Sequence, residues 1–244
     1  MSLRTRLSAA AVGAVIAVGA VALPAQAATS AGTTSADGAG LAKAKSAVTD
    51  GITDRLAALG KLQTALAAYK DVPDAARDTL TPLIASDISR LTALKAKVAG
   101  ETTEVAVRAD GKAMVDDYRV YILVAPKVHL THVFDVENAA AAGLVKVHDV
   151  LAAGLAEDPA ADTQANKDLL ADMITAIQGA DARVDGKDAA LLALQPGPDG
   201  KALTESVKDV SGAAKDARDD IKKAVADAEK VRDALKDTRT AAKG

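Results

Sequence analysis

Cysteine and tryptophan are both absent from the 244-residue sequence, and one Phe and three Tyr are its only aromatic residues. Each absence removes a class of function. Without cysteine there is no disulfide framework, no thiolate metal site and no thiol nucleophile. Without tryptophan, a carbohydrate-stacking platform has almost nothing to be built from. Charge of one sign is lacking too: 30 Lys and Arg stand against 33 Asp and Glu. That balance argues against binding nucleic acid through its phosphates, so no nucleic-acid partner is expected. What remains is 49% apolar and 26% charged, dominated by small aliphatic residues, which is the composition of a folded chain and not a disordered one.

The first 27 residues have the order of an export signal: Arg4 and Arg6, an apolar run over 7–23, then Pro24-Ala25-Gln26-Ala27 with an Ala-x-Ala cleavage pattern. The expected product starts near Ala28, carries no transmembrane anchor after cleavage, and is secreted or loosely associated with the cell wall. With no Cys at the cleavage point, lipid attachment is excluded. Residues 28–40, rich in Ala, Gly, Ser and Thr, read as a flexible leader ahead of a helical region over 41–242.

From Leu41 onward, apolar residues recur at steps of three and four, the spacing of an amphipathic helix. The first stretch uses Val48, Ile52, Leu56, Leu59, Leu62, Leu66 and Tyr69, and ends at Asp71-Val72-Pro73-Asp74. The second uses Leu80, Ile84, Ile88, Leu91, Leu94 and Val98, and ends at Gly100. Within it, Pro82 either follows a cap at Thr81 or kinks the helix. A third stretch, 103–156, is capped by Thr102 or Thr103 and is apolar nearly all round from Tyr118 to Phe134, as a central helix would be. Pro126 is expected to kink it. The fourth runs over 162–192, with Asp162 as a candidate cap. Gln195-Pro196-Gly197-Pro198-Asp199-Gly200 separates it from the fifth, 201–241. There Leu203, Val207, Val210, Ala214, Ala217, Ile221, Ala224, Ala228, Val231 and Leu235 form a seam of period 3.5. The fold class is therefore all-α: an elongated antiparallel, coiled-coil-like bundle of about five long helices. The chain forms either one long bundle or two sub-bundles sharing the 103–156 helix.

Two groups of residues carry candidate chemistry. His129, His132 and Asp135 stand three apart on one helix, so they offer two nitrogens and an oxygen on one face, a candidate metal site. The motif is His-Leu-Thr-His, however, with no Glu between the ligands, and His148 is rotated about 100° off that face. The second group is Asp116-Asp117-Tyr118-Arg119 with Tyr121, where Tyr118, Arg119 and Tyr121 are candidate ligand-binding residues beside carboxylates. Their bland alternative is a buried Tyr with its hydroxyl satisfied and an Arg in an ion-pair network. No Gly-x-Ser-x-Gly elbow, phosphate loop or calcium loop is present, so no enzyme activity and no cofactor are expected.

The block Asp117-Tyr118-Arg119-Val120-Tyr121-Ile122-Leu123-Val124-Ala125-Pro126-Lys127-Val128-His129-Leu130, preceded by Leu91-Thr92-Ala93-Leu94-Lys95-Ala96-Lys97-Val98, resembles uncharacterised secreted all-helical proteins of high-GC Gram-positive bacteria. The resemblance implies an all-helical exported protein and brings no activity with it. The functional expectation is an exported structural or protein-interaction bundle that meets a protein partner, or itself, through helical seams. The alternative is an extracellular small-ligand or metal-binding protein with a cleft near residues 116–135.

Overall fold

The computed structural model describes residues 34–242, so the expected export signal over 1–27 and the start of the expected leader lie outside the described residues. Among the described residues all regular structure is helical. In chain order there are α1 (Thr34–Ala68), α2 (Asp74–Gly100), α3 (Glu104–Asp116), a π-helical turn (Val120–Val124), α4 (Ala125–Glu157), α5 (Gln164–Val184), α6 (Lys187–Ala193) and α7 (Gly200–Ala241). The five expected helical stretches are there, two of them interrupted.

Three boundaries differ from the sequence expectation. Helix α1 begins at Thr34, inside the stretch 28–40 expected to be a flexible leader. The 103–156 stretch is broken at 117–119, where Arg119 takes up a left-handed conformation, and Pro126 falls in the first turn of α4. The 162–192 stretch is broken at Asp185 and Gly186, whose φ of 67° is a backbone geometry that glycine adopts without a Cβ penalty. By contrast Pro82 starts no new helix, since α2 runs through it from Asp74.

Helix starts follow capping chemistry. The hydroxyl of Thr103 accepts from Ala106 N at 3.3 Å, and that of Thr163 from Asn166 N at 3.3 Å. The carboxylate of Asp199 accepts from Ala202 N at 2.9 Å, opening the longest helix. Thr163, not Asp162, is therefore the cap of α5.

One apolar cluster joins α1, α2 and α3 through Ile52, Leu59, Leu80, Ile84, Leu91 and Val107, and extends into the π-turn and α4 through Val120, Val124 and Val128. At about 1.5–3 kcal/mol for each fully buried aliphatic side chain, this cluster is the main adhesive of the N-terminal helices. Two further clusters join α4, α5 and α7, the second of them with α6. One contains Leu151, Leu155, Met173, Ile177 and Val231, the other Leu130, Phe134, Leu191 and Val210. The alanines of the α7 seam (Ala214, Ala217, Ala224, Ala228) are buried among them, so α7 sits close to its neighbours with little apolar area per turn. Lys45 Nζ donates to Ala99 O at 2.8 Å and Lys95 Nζ to Thr53 Oγ1 at 2.9 Å, tying the start of α1 to the end of α2. At the far end of the chain Thr238 donates to Asp158 Oδ2 at 2.6 Å, fixing the last turns of α7 beside the end of α4.

Candidate functional site

The break in the 103–156 stretch is where the chain's unusual backbone and its buried cations meet. Arg119, with φ 44° and ψ 40°, is the one non-glycine residue with positive φ among the described residues. A left-handed L-residue costs roughly 1–2 kcal/mol, so its neighbours must hold it there. The guanidinium does so with three hydrogen bonds: to Asp116 Oδ1 at 2.7 Å, Gly197 O at 2.8 Å and Pro198 O at 2.8 Å. Immediately after it, the π-turn inserts an extra residue, with Ala125 N reaching back to Val120 O. That shift turns Val120, Leu123 and Val124 into the core.

Lys127, almost fully buried on α4, completes the arrangement. Its Nζ donates to Leu192 O at 2.8 Å and Leu194 O at 2.5 Å. Arg119 and Lys127 thus hold four carbonyls, one from the end of α6 and three from the α6–α7 connection. Burial lowers the Lys127 pKa, and the Asp87 carboxylate opposes that shift. Asp87, itself buried, is pushed up to about 6 by desolvation, against the pull of Arg90 and Lys127.

These contacts decide how the expected ligand trio is placed. Tyr118 is buried, its hydroxyl pKa raised by desolvation, with the Arg90 guanidinium 5.0 Å from its ring centre. Tyr121 is half-exposed under Arg55 of α1, at 5.2 Å. Tyr118, Arg119 and Tyr121 therefore turn to α2, to the α6–α7 connection and to α1 respectively. The left-handed residue between the two tyrosines and the π-turn that follows it go with their facing different helices.

The histidine group gathers on Tyr69, the last residue of the first apolar stretch. Its hydroxyl is hydrogen-bonded to His129 Nδ1 at 2.9 Å, and its ring stacks on His132 at 3.7 Å with planes 7° apart. Arg77 anchors the turn that carries Tyr69 by donating to Leu66 O at 2.6 Å, to Val72 O at 3.2 Å and to Tyr69 O. Burial holds both imidazoles below their ordinary pKa, with His132 adding to the effect on His129 and Asp71 opposing it on His132. Asp135 is pushed up to about 6, first by desolvation and then by the carboxylates of Asp188 and Asp71, with Arg77 opposing. His132 Nδ1 and Asp135 Oδ2 are buried without a hydrogen-bond partner. Among the described residues no three His, Asp or Glu side chains are arranged to hold a metal ion, and His129 and His132 both engage Tyr69, one through its hydroxyl and the other through its ring. His148 lies apart from them, 3.1 Å from Asp149 Oδ1.

Two further features were only partly visible in the sequence. An open depression of about 410 Å³ beside Phe134 and Asn138 is rimmed by Asp181, Asp185 and Asp188, with no basic residue in its lining. Deeper in the fold, Glu137 of α4 is buried 3.1 Å from the Arg218 guanidinium of α7 and pushed up to about 7 by desolvation, which Arg218 opposes. That guanidinium lies off the hydrogen-bond line, so neither Glu137 oxygen has a well-directed donor.

The outward face of α4 is the remaining candidate. Val136, Val145 and Val150 are exposed, Val150 to 72%, and so are Ala139, Ala142, Ala153 and Ala156. A Cβ at Gly143 would meet nothing within 4 Å. The stretch Glu104–Glu157 contains an 18-residue window of mean hydropathy 1.4, of which only 28% is buried. An apolar helix with this much uncovered surface makes the outward face of α4 the candidate surface of the described residues.

No family model matches this chain, and neither a curated protein nor a solved structure matches it.

Proposed function

We propose that this chain is an exported helical protein with a structural or interactional role at the cell envelope or in the medium, exercised through the uncovered face of α4. The observation that carries this reading is the contrast within α4 itself. Ala141, Leu151 and Leu155 are buried against α5 and α7, while Val136, Ala139, Ala142, Val145, Val150, Ala153 and Ala156 stay exposed. Burying that face against another protein would gain about 25 cal/mol per Å² of apolar surface. The export signal over 1–27 and the lack of any motif for covalent chemistry support the same reading. In this view the molecule is an elongated antiparallel bundle of two sub-bundles, joined through the 103–156 stretch and bent near Pro126. The ties of Lys45 to Ala99 and Lys95 to Thr53 suit an antiparallel α1–α2 pair.

A ligand cleft around 116–135 draws less support, because Arg119 and Lys127 already spend their donors on backbone carbonyls. Membrane insertion of α4 would tear Leu151 and Leu155 from their cluster, at a cost of several kcal/mol. The chain has no native cysteine, so single cysteines report cleanly on the exposed face. Full-length chain carrying Val150→Cys is expressed with its leader, and the medium and envelope fractions are treated with a membrane-impermeant maleimide. Val105→Cys, at a position 78% exposed on α3, serves as control. Protection of residue 150 relative to residue 105 is the expected result. Equal labelling of both in every fraction would overturn the reading.

A further inference from the structure

The exposed face of α4 has an order of residues that reads the same against itself in reverse. Ala139, Ala142, Lys146, Asp149, Ala153 and Ala156 follow at alternating steps of three and four, and all six are exposed. That spacing keeps them on one stripe of the helix. When the stripe is laid antiparallel on a copy of itself about the midpoint between residues 147 and 148, Ala139 meets Ala156, Ala142 meets Ala153, and Lys146 meets Asp149. Each pair then occurs twice, as a two-fold interface demands. A parallel pair would instead set Lys146 against Lys146 and Asp149 against Asp149.

We infer that the partner of this face is a second copy of the chain, docked antiparallel along α4, with reciprocal Lys146–Asp149 ion pairs across the two-fold axis. The inference rests on the reading of this face as an interaction surface and names its occupant. Charge complementarity selects both the partner and the direction. Lys146 makes no ion pair among the described residues, and the Asp149 side chain is 72% exposed, its contact within the chain being His148. The four alanines permit helix axes to approach at the short end of the usual 8–10 Å range. Val150 falls within about two residues of the second copy's Gly143, where the missing Cβ leaves room for it. The stripe from Ala139 to Ala156 is about 26 Å long. Such a contact belongs with small interfaces, and a dissociation constant on the order of micromolar is expected.

The test is sedimentation equilibrium on the purified chain across concentration, with Lys146→Asp, Asp149→Lys and the double exchange. All are surface changes, and circular dichroism verifies their folding. Each single variant sets two like-charge pairs across the axis and is expected to weaken the dimer about tenfold or more. The double exchange restores both pairs and is expected to return the dissociation constant to within about threefold of the native one. Register is read separately: a mixture of Ala142→Cys and Ala153→Cys chains forms a mixed disulfide under mild oxidation, while neither alone cross-links efficiently. A chain that stays monomeric at every concentration, single variants without effect, or a 142–142 cross-link would each overturn the antiparallel dimer. If the chain is monomeric while Val150→Cys is still protected at the envelope, the dimer fails and the interaction surface stands. If Val150→Cys is freely labelled everywhere and the chain is monomeric, both fail.

Discussion

The guanidinium of Arg119 occupies the space into which a side chain at residue 200 would grow: a Cβ on Gly200 would lie 2.8 Å from Arg119 Nη1. The two residues are far apart in sequence, one in the break before the π-turn and the other at the first turn of α7. Their closeness places the α6–α7 connection over the start of α4, where Lys127 holds it a second time.

A double-mutant cycle tests this clasp. Gly200→Ala should destabilise the native protein by about 1 kcal/mol, because a pinned guanidinium must give up its carbonyls to make room. In an Arg119→Ala background the same change should be neutral or slightly stabilising, since alanine suits a helix better than glycine. Arg119→Gly should cost about 1 kcal/mol less than Arg119→Ala, as glycine adopts the left-handed conformation freely. Urea denaturation of the four proteins measures the coupling, and simple additivity would show that the clasp is not energetically closed.

Replacing Lys127 by Met keeps the length of the side chain and removes its donors. Leu192 O and Leu194 O lose their partner and Asp87 loses a nearby cation, so a loss of about 3 kcal/mol is expected. Hydrogen exchange should show the loss first in the α6–α7 connection. Uniform destabilisation with no local effect would separate Lys127 from that segment.

Tyr69 offers a cleaner dissection. Tyr69→Phe removes only the hydroxyl bonded to His129, and should cost about 1 kcal/mol while leaving the stack on His132 in place. Tyr69→Ala should cost about 3 kcal/mol and abolish the ring-current shift of the His132 protons. Those proton resonances decide the geometry independently of stability: an unchanged shift in Tyr69→Ala would contradict the stack.

Acidity should act on this fold in two directions. The folded carboxyls of Glu137, at about 7, and of Asp87 and Asp135, at about 6, hold protons more tightly than in the unfolded chain. Stability from these groups therefore rises as pH falls from about 8 towards 5. His129 and His132 have the opposite sign: their folded pKa values lie below the unfolded one, so stability is lost as pH drops below about 6.5. Glu137→Gln should raise stability at pH 8 by about 1 kcal/mol and flatten the upper limb of the profile. Lower stability of the Gln variant at pH 8 would mean that pairing with Arg218 outweighs the cost of burying the charge.

Much of the helical framework was legible in the residues. Ile52, Leu59, Leu80, Ile84 and Leu91 declare a buried face by their spacing, and all are fully buried. Asp71-Val72-Pro73, Asp158-Pro159 and Pro196 to Asp199 mark breaks that the structure keeps, and of the two candidate caps Thr102 and Thr103 it is Thr103 that caps α3. Periodicity and capping are local properties, determined by which residues stand three or four apart and which backbone donors are left open. For the same reason the sequence alone settled that this chain is helical and which face of most helices is apolar. It also supplied the self-complementary order from Ala139 to Ala156, although periodicity gave no sign that this stripe faces outward.

The tertiary structure decided what local spacing does not encode. Nothing within a few residues of Arg119 announces its left-handed backbone, because the bonds that hold it go to Gly197 and Pro198, on a segment nearly eighty positions away. Tyr69 likewise looked like the last apolar residue of a seam. Only the packing of α1 against α4 brings it between His129 and His132, drawing the imidazoles away from a shared metal geometry. That the stripe on α4 stays uncovered is settled in the same way, since only the arrangement of neighbouring helices decides which apolar residues remain in solvent.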